Sequence, residues 1–326
     1  MLVNNIIPSK SGGGNNFIEF TDNVQDFQLS TSTSSTSLQK LYGYSNILRF
    51  SKNVKLTNNF TIIPEAMFYQ SDIESIIIPN TVTSIGKNAF CACKNLKKIT
   101  IPDSVIEIGE SLFSSCSNLE EFVISNNITN ITSQMFTYCT NLKSVTIPNN
   151  ITSINVYAFR GCENLLEIII PNNVTNIYFM LFNDCNNLIK ITLPGSFTRK
   201  TYTTTAEETY PPIKYLTIAN GSTTITTSPK TLLNFTSTLE EVYIPNTVLS
   251  IENEAFKDCK KLKKVIIPRS IENIKYYSFA NCYNLENIYY EGTEEEWNKI
   301  TKGTNWNGSM GSNIEGGTVI HYNYTP

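Results

Sequence analysis

The sequence is poor in the groups that carry out chemistry. Among 326 residues there is one histidine, His321. Without a second, a Cys–His or Ser–His–acid site would have to be assembled around the C-terminal end. His321 sits there in a strand-like pattern, which suits a structural role. Charge is also sparse: 16% of residues are charged, the net charge is −3, and the Lys and Arg residues are scattered. That leaves no electrostatic footprint for nucleic acid. No run of about 18 apolar residues occurs, so no membrane insertion is expected. The opening "MLVNNIIPSKSGGGNN" lacks the basic region and long apolar core of a signal peptide. Either the chain is not secreted by that route or its signal has been removed.

Other absences point the same way. There is no Gly-rich phosphate loop. Cys91 and Cys93 have neither a matching pair nor a neighbouring histidine to complete a tetrahedral zinc site. The run Glu294, Glu295, Glu296 reads as a solvated helix start rather than a carboxylate dyad. No enzymatic activity, cofactor or metal is expected.

What the sequence does have is repetition. An apolar run ending in proline recurs every 23 residues at Pro79, Pro102, Pro148, Pro171 and Pro194, with Ser125 in the open slot, and resumes at Pro245 and Pro268. Phe90, Phe113, Phe136, Phe159 and Phe182 keep the same interval, which resumes at Phe256 and Phe279 after the disturbed stretch, and seven of the eight cysteines, from Cys93 to Cys282, follow them in step. Three positions locked to one period mean a small unit that cannot bury its apolar face alone and stacks on copies of itself.

One unit shows how the coil is made. In "LKKITIP", Leu96, Ile99 and Ile101 alternate with Lys98 and Thr100, a half-buried strand closed by a proline that has no N–H for a ladder. "DSVIEIG" then turns Val105 and Ile108 inward, and Gly109 offers a backbone position for reversing direction. In "ESLFSSC", Leu112, Phe113 and Cys116 fit a short helical turn with its apolar side inward. Stacked coils place the strands in a narrow parallel sheet and the helical turns on the opposite wall, an α/β solenoid that bends into an arc where the walls differ in thickness. Equivalent cysteines then lie about 4.8 Å apart with parallel side chains. A disulfide needs a specific turn about the sulfur pair, so the column reads as buried, reduced thiols.

"LKKITIPDSVIEIGESLFSSCSN" resembles the leucine-rich repeat of the BspA-like, treponemal type: an apolar strand ending in Pro, then V..I....F..C..L. The likeness spans roughly residues 60 to 291. It implies a right-handed leucine-rich repeat arc with the sheet on its concave face, and a non-enzymatic protein-binding or adhesion function at a cell surface or in host interaction. "IYYEGTEEEWNKI" and "TVIHYN" resemble the C-terminal end of bacterial members, where Trp297 and the segment Thr318 to Tyr322 would close the core. The expected organisation is a weakly ordered segment at 1–40, the repeat domain at 41–291 with irregular coils about 195–238, and a C-terminal cap at 292–326. A loop is expected to protrude at Thr201 to Pro212. Such repeats also occur on phage proteins, so a tail-associated or receptor-binding virion protein is the alternative reading.

The strand position two before the proline slot faces outward and reads Ile77, Thr100, Val123, Thr146, Ile169, Thr192, Thr217, Tyr243, Ile266 and Tyr289. β-branched and aromatic residues favour strands in any case, but they also form a moderately apolar ribbon of the kind that receives a partner. The candidate binding residues are Tyr215, Thr217, Tyr243, Ile266 and Tyr289, and the partner would be a protein or cell-surface receptor. The position five before the slot alternates in sign at Glu74, Lys97, Glu120 and Lys143, and again at Lys214, Glu240, Lys263 and Glu286. That alternation serves register more than recognition.

Overall fold

The computed structural model describes residues 18–20, 52–178, 180–200, 209–226 and 235–326. The expected weakly ordered segment 1–40 therefore lies outside the described residues except at Ile18–Phe20, as does the expected loop through residue 208. The chain divides into two compact units, Met1–Leu165 with Met180–Cys185 and Leu166–Phe179 with Asn186–Pro326. Each is a parallel β-solenoid.

In the first unit, β1 (Ile18–Phe20) and β2 (Asn53–Leu56) pair in parallel, and β2 pairs on with β4 (Ser75–Ile77). β7 (Glu121–Val123) pairs with β9 (Ser144–Thr146). Between β4 and β7 the quoted segment 97–101 forms no regular strand, contrary to the sequence reading. It keeps the alternation, with Ile99 and Ile101 buried and Thr100 exposed. A second ladder that the sequence reading missed joins β3 (Ile62–Ile63), β5 (Ser84–Ile85) and β6 (Glu107–Ile108), and another joins β8 (Asn130–Ile131) and β10 (Ser153–Ile154). Two residues per coil are too few to show an alternating pattern, which is why this wall left no signal.

The second unit carries a seven-stranded parallel sheet. Its order is β11 (Glu167–Ile169), β13 (Lys190–Leu193), β15 (Tyr215–Ile218), β17 (Glu241–Tyr243), β19 (Lys264–Ile267), β21 (Asn287–Tyr290) and β23 (Val319–His321). β12 (Asn176–Tyr178) pairs with β14 (Thr198–Lys200), and β16 (Thr224–Ile225), β18 (Ser250–Ile251), β20 (Asn273–Ile274) and β22 (Thr301–Lys302) form the companion ladder.

The third wall is where sequence and structure part. The expected short helical turns are not helices. In the coil of "ESLFSSC", Ser111 and Ser115 both take positive φ (55° and 63°), and the pattern repeats at Gln134 and Tyr138 and at Glu254 and Asp258. Successive N–H groups then alternate between two destinations. Ser111, Phe113 and Ser115 donate to Ser133, Met135 and Thr137 of the next coil at 2.9, 2.9 and 2.7 Å, while Ser114 and Cys116 donate back three residues to Ser111 and Phe113. A single helical turn would leave its end groups unpaired; this zigzag satisfies the wall by tying each coil to its neighbour. It also corrects the role assigned to Gly109. The reversal is made by Ser111 and Ser115, whereas Gly109 is needed because a Cβ there would stand 2.3 Å from the Lys87 backbone nitrogen.

The core follows the repeat. In the first unit Phe68, Phe90, Phe113, Phe136, Phe159 and Phe182 form one column with ring centroids 5.3–5.8 Å apart and interplanar angles of 4–16°, in the range of offset stacking. The second unit repeats this at Phe256 and Phe279, 5.2 Å apart. Beside the phenylalanines runs the column of free, fully buried thiols. Six of the seven have a specific role: Cys93, Cys116, Cys139, Cys162 and Cys185 donate their S–H to the carbonyls of Phe68, Phe90, Phe113, Phe136 and Phe159 at 3.0–3.3 Å, and Cys282 donates to Phe256.

After β21 comes α1 (Glu294–Lys299), the one α-helix among the described residues. Thr293 and Glu296 form a reciprocal cap on its first turn, and Arg269 pairs with Glu296, which holds that carboxyl below its ordinary range. Trp297 is buried against Tyr290. The Phe column itself is continued by a residue the sequence reading did not single out. Trp306 lies edge-on to Phe279 at 6.3 Å and accepts the Phe279 N–H on its carbonyl.

Candidate binding face

The parallel register of the second unit lines up outward side chains in rows. One row reads Thr192, Thr217, Tyr243, Ile266, Tyr289 and His321. Two residues earlier along each strand, a second row reads Glu167, Lys190, Tyr215, Glu241 and Lys264. Strand alternation puts both rows on the side away from the core.

Thr217, Tyr243, Ile266 and Tyr289 thus share one row. Tyr215 stands in the other, exposed between Lys190 and Glu241. The row's end is not open. Tyr289 is stacked on His321 at 4.5 Å and 12°, lies 4.7 Å from the Tyr324 ring, and has the Lys264 ammonium 5.5 Å from its centroid. His321 is fixed in turn by a 2.8 Å hydrogen bond between Nε2 and Asn287 Oδ1. The lone histidine belongs to the wall of the face. Among the described residues, no three His, Cys, Asp or Glu side chains gather to hold a metal.

Charges flank the rows and pair from strand to strand: Lys190 with Glu167 at 3.0 Å, Lys264 with Glu241 at 3.6 Å, and Glu240 with both Lys214 (3.2 Å) and Lys263 (3.3 Å). Hydrogen bonds from Lys214 and then Lys263 hold the Glu240 carboxyl below its ordinary range. In the first unit Lys143 does the same to Glu120 at 2.8 Å. The alternating column expected from sequence is present at these pairs, and these charges are occupied with one another.

Above the row opens a cleft of about 560 Å³. Its floor is Thr192, Thr217 and Tyr243; its sides are Asn220, Asn246 and Glu291, just past the strand ends; and its far wall is Tyr324, Thr325 and Pro326. The wall is held by the Asn323 N–H donating to the Gly292 carbonyl (2.8 Å) and the Tyr324 N–H donating to the Tyr290 carbonyl (3.1 Å). Of the five residues singled out from sequence, Thr217 and Tyr243 line the cleft and Ile266 adjoins Tyr243 in the row. Tyr289 supports the wall from beneath Tyr324, and Tyr215 lies outside. Asn220, Asn246, Glu291 and Tyr324 were missed, because the alternation argument stops at the strand's last residue.

Comparison with known proteins adds the family. The profile of the BspA type leucine rich repeat region matches residues 61–189, 130–234 and 226–305, in six copies. Among solved structures, similarity is found to a leucine rich cell surface protein from Faecalibacterium prausnitzii (24% identity, 79% of this chain and 84% of that one, TM-score 0.37). A leucine-rich repeat protein from Bacteroides ovatus (22%, 84% and 84%, 0.42) and the T. pallidum leucine rich repeat protein (18%, 75% and 90%, 0.33) are similar as well. A comparison with curated proteins finds no match.

Proposed function

Because the chain belongs to the BspA-type leucine-rich repeat family, we propose that it is a non-enzymatic binding or adhesion module that takes a protein or cell-surface receptor on the outward face of its seven-stranded sheet. In this reading that face is the concave side of a right-handed arc, the segment 292–326 is the cap of the stack, and the chain works at a cell surface. No helix among the described residues is long and apolar enough to cross a membrane.

The observation that carries the reading is the row Thr192–Thr217–Tyr243–Ile266. Its residues are only part-buried, stand in unbroken register, and pass beneath a cleft, while the charges around them are already paired. Aromatic residues at the centre of such a face are favoured as hot spots. The test is binding of the full chain to a panel of purified extracellular proteins, comparing it with Thr217→Arg and Tyr243→Ser. Loss of more than tenfold in affinity with unchanged circular dichroism is expected. Undiminished binding by both variants would place the partner elsewhere.

A further inference from the structure

The cleft above Thr217 and Tyr243 has a chemistry of its own, and we infer that it is a subsite for a neutral oligosaccharide; this deepens the proposed binding function and rests on it. Its volume of about 560 Å³ lies within the range of small-ligand sites. The feature that points to a ligand is that several polar groups with free donors and acceptors are gathered in it. Some polar side chains of this unit are paired across coils, such as Asn281 with Asp258 at 2.8 Å, Asn313 with Asn284 at 3.1 Å and Glu252 with Lys275 at 2.6 Å, and others stand singly on the surface. In the cleft, among the described residues, the amide of Asn246, the NH₂ of Asn220 and the part-buried carboxylate of Glu291 make no side-chain hydrogen bond or ion pair. Amides and a carboxylate aimed into one cleft present donors and acceptors together, which is the pattern needed for neighbouring hydroxyls that both give and accept.

The rest of the lining narrows the ligand class. Tyr243 and Tyr324 supply the aromatic surface against which the C–H face of a sugar ring packs. No Lys or Arg lines the cleft and its one ionisable side chain with a charge at neutral pH is Glu291, so a phosphate, sulfate or sialic acid meets repulsion with no compensating cation. Ile218, Pro245 and the two tyrosines give the cleft apolar surface too, but the threonine hydroxyls of its floor and the asparagines and carboxylate of its sides would be left unpaired against a lipid tail. The parts are set in advance. Asn220 is oriented by accepting the Gly221 N–H at 3.1 Å, and Tyr324 is held by its backbone bond to Tyr290 and by the Tyr289 ring. Pre-set walls spare the ordering cost that weakens binding to flexible sites.

The experiment is a printed panel of neutral oligosaccharides with their sialylated and sulfated counterparts and a lysine-rich peptide, probed with the full chain and followed by titration calorimetry. Retention of neutral members is expected, with more than tenfold weaker binding for Tyr243→Ala and for Glu291→Gln, and none for Val123→Ser on the first unit. Preference for the sulfated or sialylated forms or the basic peptide, no neutral oligosaccharide bound below about 10 mM, or equal binding by Tyr243→Ala and Glu291→Gln would overturn the inference. Enzymatic removal of glycans from a bound extracellular protein separates the two proposals. If binding survives deglycosylation yet is lost in Thr217→Arg, the sheet face stands and the sugar subsite falls.

Discussion

Cys116 donates its S–H to the carbonyl of Phe90, 3.0 Å away in the preceding coil, and the same carbonyl accepts the backbone N–H of Cys93. The repeat cysteine is therefore a small apolar residue that also satisfies a buried carbonyl, a combination that alanine cannot supply.

Alkaline pH should unfold this protein early. Burial pushes the Cys185 thiol up to about 12 and, with Cys93 beside it, Cys91 to about 11; Cys116, Cys139, Cys162 and Cys259 are raised chiefly by burial as well. A group with a raised folded pKa contributes stability that is complete below the unfolded value near 9 and lost as pH rises towards the folded one. Each fully buried thiol among those six then weakens folding by up to about 1.4 kcal/mol per pH unit above that point. Urea unfolding at pH 8, 9 and 10 should show the decline, and Cys162→Ala should make it shallower. A midpoint that stays level across that range would contradict the buried-thiol column.

Phe159 lies between Phe136 and Phe182 at 5.5 and 5.8 Å. Phe159→Ala should cost about 3–5 kcal/mol by chemical denaturation. Phe279, fully buried under Trp306, should lose a comparable amount as alanine. Trp306→Ala should expose Phe279 and lower the melting temperature without touching the sheet face.

Gln134 is exposed and held at φ 59°. Gln134→Gly should be neutral or stabilising by up to about 1 kcal/mol, since glycine occupies that region freely. Gln134→Val should destabilise by about 1–2 kcal/mol or more. Thermal melts of the pair decide it, and a helical turn at this position would give the opposite order.

Glu240 should report acid pH. Its folded pKa is depressed by Lys214 and Lys263, so its contribution is present above the unfolded carboxylate value of about 4.3 and fades as pH falls through the folded one. Glu240→Gln should lower the melting temperature at pH 7 and converge with the parent near pH 3. Equal melting temperatures at both pH values would mean the ion pairs do not contribute.

Much of this architecture was legible because a 23-residue period forces the same residues into the same environments. The Phe column, the buried thiols and the pairing of Glu120 with Lys143 follow from that spacing, and the outward Thr217 and Tyr243 from alternation along their own strands. The turn wall was not legible, since "ESLFSSC" carries helical apolar spacing. What decides against a helix is the hydrogen-bonding demand of neighbouring coils, which no single coil displays. The cleft was half legible: its floor lies on strand positions, but Asn220, Asn246 and Glu291 sit beyond the strand ends, and Tyr324 reaches them only because the chain turns back at Asn323 (φ 55°).

The most direct test of the binding face is amide hydrogen exchange on the full chain, free and saturated with whichever extracellular protein or oligosaccharide it retains. Slowed exchange is predicted at 215–220, 241–246 and 289–291, with no change at 276–281 on the turn wall. Protection confined to the turn wall, with the sheet-face segments unaffected, would contradict the account.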